Sequence, residues 1–276
     1  MTETSSPAIG RDAAAALMEP LTDLVAQAGA AILAVDRSGM RVQGKSDGSP
    51  VTEADMAADR IIADGLKTLM PHIPALSEER TQFAARPYKG SFFLVDPLDG
   101  TKEFVAGRDE FTVNVALITH GQPLLGIIAA PALGLVWRGL VGRGSERLLM
   151  TKDGKFRSAQ PIHTRPHPGP GGAWIVAVSR SHGDKRTEAF ISARPGAIRQ
   201  HLGSAVKFGR IAEGGADIYP RLSPTSEWDV AAGHAVVTAA GGKITDSKGA
   251  ALCFGEARED FLVPEFIAWG DPAVAG

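Results

Sequence analysis

Phe92-Phe93-Leu94-Val95-Asp96-Pro97-Leu98-Asp99-Gly100-Thr101-Lys102-Glu103 runs from four apolar residues directly into two carboxylates, a glycine and a hydroxyl. The apolar part reads as a strand. Pro97-Leu98 reads as a turn at its end, and a strand that ends this way can aim Asp96 and Asp99 at one point. Two anionic oxygens aimed at one point suit a hard cation such as Mg²⁺. Gly100 lacks the Cβ that would keep the backbone away from a ligand. The amides after it, if they open a helix, face an anion. An ordinary turn would use the same residues, because Pro, Asp and Gly dominate turns. Two other segments supply what such a site still lacks.

Leu76-Ser77-Glu78-Glu79 lies upstream, where Glu78 ends an apolar approach from Ile73 to Leu76. Trp228-Asp229-Val230-Ala231-Ala232-Gly233 lies downstream, with Asp229 in the first turn of an apolar helix that runs to Ala240. A helix dipole favours an acid there whether or not the acid has another role, and Glu78-Glu79 alone would pass for a solvated loop. In order, however, the three motifs resemble the signatures of the lithium-sensitive, Mg²⁺-dependent phosphatases of the inositol monophosphatase superfamily. The resemblance runs from Lys45 to about Gly242. Within that superfamily the chain is most similar to the 3′(2′),5′-bisphosphate nucleotidases of the CysQ type. The supporting residues are Lys45-Ser46-Asp47, Ser49-Pro50-Val51-Thr52, Ala54-Asp55, Lys102-Glu103-Phe104, Ser179-Arg180-Ser181-His182, Gly203-Ser204, Lys207-Phe208 and Tyr219-Pro220-Arg221.

The resemblance implies an α/β layered sandwich, the αβαβα fold of inositol monophosphatases and sugar phosphatases. It implies a single phosphatase domain over 1–276 with two lobes, about 1–165 and 166–276, and a metal cleft between them. Two or three Mg²⁺ ions are implied. Glu78, Asp96 and the Leu98 carbonyl would hold the ion that activates water; Asp96, Asp99 and Asp229 would hold the second. Thr101 would orient the water, its hydroxyl held by Asp55, with Glu78 as the other polarising group. A purely structural reading makes Thr101 a helix N-cap. Glu79 would support the shell rather than bind metal. Substrate would meet Glu78, Leu98, Asp99, Gly100, Thr101, Lys102, Ser179, Arg180, Ser181, His182, Lys207 and Asp229. Lys102-Glu103 departs from the Thr-Asn pair usual in inositol phosphatases; it reads as a group at the substrate entrance or as a solvated ion pair. Lys207 could instead be helix surface, and His201 and His234 read as structural.

Composition bounds the rest. A chain of 276 residues with 44% apolar content can bury a large core. A net charge of −2 offers no basic surface for nucleic acid. The single cysteine, Cys253, has no internal partner and fits a reducing cytoplasm. Met1 to Gly10 reads as no signal peptide. Leu124 to Trp137 is broken by Gly126, Pro131 and Gly134 and is too short to cross a bilayer, which leaves room for peripheral inner-membrane contact at most.

Helical spacing of Leu17, Leu21, Leu24, Val25, Ala28 and Ile32 predicts an amphipathic helix over 12–36. Thr52 and Asp55 form a capping-box pattern for a second helix that stops at Pro71. Phe111–Thr119, Leu124–Ala129 and Leu135–Val141 read as an antiparallel meander. His163 to Gly172 reads as a loop or lobe boundary. Beyond it, a strand at Trp174–Ser179 and helices at Lys185–Arg194, Ser204–Gly214 and Trp228–Ala240 argue for an α/β half. No Walker loop, no GxGxxG after a strand and no zinc pattern is present.

Hydrolysis of a phosphate monoester needs an activated water and a neutralised leaving oxygen, and paired metal ions on shared carboxylates provide both. The resemblance therefore implies conversion of adenosine 3′,5′-bisphosphate to AMP and phosphate, a step linked to sulfate assimilation. An inositol or sugar monophosphatase is the nearest alternative. A non-catalytic phosphate-binding protein would be expected to have lost one of the four acids Glu78, Asp96, Asp99 and Asp229.

Overall fold

The computed structural model describes residues 4–37, 42–44, 50–83, 88–151, 155–181, 183–256 and 261–275. The apolar run beginning at Ser91 becomes the second strand of a seven-stranded sheet: β1 (Ala75–Ser77), β2 (Ser91–Asp99), β3 (Thr112–Thr119), β4 (Gln122–Ala130), β5 (Leu135–Leu140), β6 (Gly144–Met150) and β7 (Phe156–Ile162). The strands lie side by side in chain order. β1 runs parallel to β2, and every later neighbour is antiparallel. A five-stranded sheet follows in the second half, from β8 (Ile175–Ser179), β9 (Ile198–Leu202), β10 (Ile218–Arg221), β11 (Lys243–Thr245) and β12 (Phe266–Trp269), in the order β9-β8-β10-β12-β11.

Six α-helices of the described residues accompany them: α1 (Arg11–Ala34), α2 (Glu53–Leu69), α3 (Thr101–Val105), α4 (Lys185–Ser192), α5 (Val206–Ala212) and α6 (Glu227–Ala239). β2 shows how they layer. Its successive side chains alternate between faces, and both faces are buried. Phe93 and Val95 join Leu21, Leu24, Val25 and Ile62 of α1 and α2 in one core. Phe92 and Leu94 join Phe208, Ile211, Val230 and Val236 of α5 and α6 in another, which continues to Tyr219 and Phe266 of the second sheet. Val176, Val178 and Ile218 on that sheet's far face pack with Ile191 of α4. The order of layers is therefore helix, sheet, helix, sheet, helix. The second layer boundary is close-packed: a Cβ on Gly126 of β4 would stand 2.3 Å from the Ala232 carbonyl of α6, and one on Gly139 of β5 would stand 2.9 Å from the Val236 Cα.

The predicted 12–36 helix is α1, which is long and apolar enough to cross a membrane by length and composition. Half of its most apolar window is buried inside the protein, however, as befits a core helix. The capping box at Thr52 is present, with both reciprocal hydrogen bonds.

One expectation changes. Pro97-Leu98 is not a turn after the strand but part of it. Asp96 pairs with Asn114 and Asp99 with Thr112, so β2 spends one more residue than β3 over the same stretch. This is a β-bulge. In a regular strand, positions three apart face opposite sides. The bulge is what lets Asp96 and Asp99 share one.

Candidate active site

Asp96, Asp99 and Asp229 each offer a carboxylate oxygen, and the three oxygens lie within 4.8 Å of one another. Asp96 and Asp99 come from the bulged end of β2. Asp229 comes from the first turn of α6, where it also completes a capping box with Ser226. The helix-cap role and the cluster role therefore coexist in one side chain. Each acid spends one oxygen on protein donors. Asp96 Oδ1 accepts from the Leu98 amide at 3.1 Å. Asp99 Oδ2 accepts from the Ser204 hydroxyl at 2.7 Å. Asp229 Oδ2 accepts from the Thr225 hydroxyl and from the Ser226 amide.

Burial, and then the nearby Asp99 carboxylate, push Asp229 up to about 6 against the opposing pull of Arg221. Such mutually repelling acids are a donor set for a hard divalent cation. The residues present thus fit a metal held by Asp96, Asp99 and Asp229. Glu78 and the Leu98 segment line the same cleft, with Gly100, Thr101, Lys102 and Ser179.

Thr101 is the first residue of α3, but no side chain caps that helix; its N-cap is Gly100, in the left-handed region at φ 90°. The Thr101 hydroxyl faces Asp55 instead, at 3.0 Å from Oδ1, with the Leu98 carbonyl at 3.1 Å. Asp55 is buried, and its Oδ2 accepts from the Thr52 amide at 2.8 Å and the Thr52 hydroxyl at 2.6 Å. The capping box of α2 thereby fixes one carboxylate oxygen and presents the other to Thr101. A hydroxyl that donates to Asp55 has lone pairs left to accept a hydrogen bond from a water in the cleft.

The opposite wall is cationic. Lys207 is 3% exposed, so it is no surface group of α5. Its Nζ donates to the Leu202 and Ser204 carbonyls and sits 5.1 Å from the centre of the Tyr219 ring. Burial lowers its pKa to about 8, with Asp99 pulling the other way. Arg221 also lines the cleft. Burial works against its charge, but Tyr219, Asp229 and Asp99 outweigh that and hold it above the usual range. Its Nε is buried with no hydrogen-bond partner among the described residues.

Several expectations need correction. Arg180 does not line the cleft: its guanidinium grips the Glu110 carboxylate at 2.8–3.0 Å and the His201 carbonyl at 2.8 Å. Ser181 donates to Glu103, which is 5% exposed, so Lys102-Glu103 is no solvated pair; both residues line the cleft. His182 and Lys45-Ser46-Asp47 with Ser49 lie outside the described residues. Arg221 and Ser204 line the cleft, and in the sequence they stand only inside motifs, with no role of their own. What could have revealed Arg221 is its place at the end of a β-strand, a few residues before the Asp229 turn.

With this geometry in hand, comparison with known proteins gives a consistent picture. The Inositol monophosphatase family model matches residues 14–270. The chain is 40% identical to the 3′(2′),5′-bisphosphate nucleotidase CysQ of Escherichia coli (strain K12) over 254 residues, 91% of this chain and 98% of that one. It is 36% identical to the enzyme of the same name from Buchnera aphidicola, over 91% of this chain and 93% of that one. Among solved structures, CysQ from Bacteroides thetaiotaomicron superposes with a TM-score of 0.71 at 29% identity, covering 91% of this chain and 96% of that chain. An inositol monophosphatase from Zymomonas mobilis superposes with a TM-score of 0.71 at 25% identity, covering 97% and 96%.

Proposed function

Because the chain belongs to the inositol monophosphatase family, we propose that its cleft is a Mg²⁺-dependent 3′(2′),5′-bisphosphate nucleotidase site that takes adenosine 3′,5′-bisphosphate to AMP and phosphate. As a family member the chain is a phosphatase. The substrate is the finer step, and one observation carries it: the acid cluster faces two cations, the buried Lys207 and the half-buried Arg221, across a single cleft. A monophosphate needs one anion site. A bisphosphate needs a second, and cations at hydrogen-bonding distance recognise it by charge-assisted contacts. The names carried by the relatives point the same way.

In this reading Asp96, Asp99 and Asp229, with Glu78 and the Leu98 carbonyl, hold Mg²⁺, which when bound supplies an acidified water and neutralises the leaving oxygen. Thr101 accepts a hydrogen bond from the attacking water while its own hydroxyl donates to Asp55, which fixes the lone pair that faces the water. The amides that follow Gly100 face the phosphate being cleaved. Lys207 and Arg221 hold the second phosphate and so orient the ester for in-line attack. The two sheets act as two lobes of one domain, and a cytoplasmic setting accords with the unpaired Cys253.

Steady-state phosphate release from adenosine 3′,5′-bisphosphate, adenosine 3′-monophosphate and inositol 1-phosphate tests the proposal. The bisphosphate should have the highest kcat/KM by about tenfold or more, since one charged contact contributes on the order of 1.5–3 kcal/mol. Lys207→Met should remove most of that preference. A wild-type protein that favours inositol 1-phosphate would instead make it an inositol phosphatase.

A further inference from the structure

We propose that Glu110 is a positioning residue that sets substrate preference by holding the 203–207 turn, and that Arg180 acts through it rather than on the substrate. This rests on the cleft being a bisphosphate site. Glu110 lies in the connection between α3 and β3, on the first-sheet side. Its Oε2 accepts from the Gly203 amide at 2.9 Å and from Arg180 Nη2 at 2.8 Å and Nε at 3.0 Å; its Oε1 accepts from Nη2 at 3.0 Å. One carboxylate thus ties the end of β8 and the start of the turn to the opposite half of the molecule. The backbone does the same. A Cβ on Gly203 would stand 2.5 Å from the Glu110 carbonyl, and one on Gly100 would stand 3.3 Å from it. The Glu110 carbonyl fills the space between two glycines, Gly100 in the cleft and Gly203 at the start of the turn.

What the turn carries explains why this matters. Ser204 has φ +53°, a left-handed conformation that a non-glycine residue keeps only when its surroundings impose it. Its hydroxyl contacts Asp99 Oδ2 and Thr112 Oγ1. Lys207 is held by the carbonyls of Leu202, at the end of β9, and of Ser204 in the turn. Releasing Gly203 lets Ser204 relax, and Lys207 loses the carbonyls that aim it. The metal-holding acids stay on β2 and α6, and Asp99 gives up the Ser204 hydroxyl but keeps Thr112 and Asn114, so most of the loss falls on the second phosphate.

A double-mutant cycle with Glu110→Gln and Arg180→Ala, assayed on adenosine 3′,5′-bisphosphate and adenosine 3′-monophosphate, separates this from direct recognition by Arg180. Each single variant should raise KM for the bisphosphate about tenfold, with kcat changed far less, and the double variant should be no worse than the poorer single, as for residues acting as one unit. The loss on the monophosphate should be several-fold smaller. Arg180→Lys, which keeps the charge but not the fork, should fall between. Losses that multiply in the double variant, or a Glu110→Gln protein that binds the bisphosphate more tightly, would show that Arg180 contacts phosphate itself and overturn the proposal. So would equal losses on the two substrates at unchanged denaturation midpoint. A wild-type protein without preference for the bisphosphate would sink the substrate reading alone, because non-additivity of the two variants can then still be read on either substrate.

Discussion

Thr101 shows how one residue's role follows from where its neighbours spend their atoms. Asp55 has one oxygen bound by the cap of α2, and the other meets the Thr101 hydroxyl. Thr101→Ala should therefore lower kcat on the order of 10²-fold with little change in KM, the cost of a misplaced reacting group. Thr101→Ser keeps the hydroxyl and should recover much of the rate; a serine variant as slow as the alanine one would mean that the hydroxyl does not act. His234 is a different case. It is buried on α6 against the Phe254 ring, its Nδ1 lacks a hydrogen-bond partner among the described residues, and burial lowers its pKa to about 4. The unfolded chain binds the proton near pH 6.5, the folded one near 4, so stability is full above 6.5 and is lost as pH falls through that window. The loss should reach about 3 kcal/mol, and His234→Gln should flatten that limb. Urea titrations at pH 7 and 4.5 decide it: an equal loss in both proteins would assign the acid limb to other groups.

Among the elements, α2 holds two of the three motifs. Asp55 and Asp59 stand four residues apart on one helical face. Asp55 meets Thr101, while Asp59, 2% exposed, accepts from Ser77 at 2.6 Å and Arg80 at 2.7 Å, on either side of Glu78. Asp59→Asn should loosen that segment and weaken Mg²⁺ binding about tenfold, the usual scale for a residue that supports a metal ligand. Calorimetric Mg²⁺ titration reads this directly, and wild-type affinity in Asp59→Asn would count against it. Asp55 was legible in the sequence because a capping box has a local pattern. Asp59 was not, because its partners are remote and nothing in Ala58-Asp59-Arg60 marks it. The same logic sorts the strands. β2 to β5 are apolar and could be read, but β7 and β9 could not. These are edge strands, and their exposed Arg157, Gln160, Arg199 and His201 carry no inward pattern. The acids of the site were legible as residue types in order; the bulge that makes Asp96 and Asp99 converge was not, since Pro97-Leu98 reads as a turn. The cationic wall needed the fold, because Lys207 and Arg221 meet the acids only when the two sheets stack.

For the molecule as a whole, the acid cluster sets activity against stability. Three carboxylate oxygens within 4.8 Å repel one another, and burial raises the cost of that repulsion. In the metal-free protein, removing one charge relieves it. Asp99→Asn should therefore denature at a higher temperature than wild type when both are held in chelator, while losing nearly all hydrolytic activity. Mg²⁺ reverses the order. An ion that binds only the folded state stabilises it by about 2.7 kcal/mol at a hundredfold excess over its Kd, a shift of roughly 5–10 °C for a chain near this size. Wild type should gain that shift and Asp99→Asn should not. The two thermal scans, with chelator and with saturating Mg²⁺ at fixed ionic strength, need no substrate, so they test the metal site apart from any reading of the substrate. If Mg²⁺ raises the midpoint of Asp99→Asn as much as that of wild type, Asp99 is not a ligand. If chelated Asp99→Asn is the less stable protein, its Ser204 and Asn114 contacts outweigh the repulsion, and the cluster is a structural junction first.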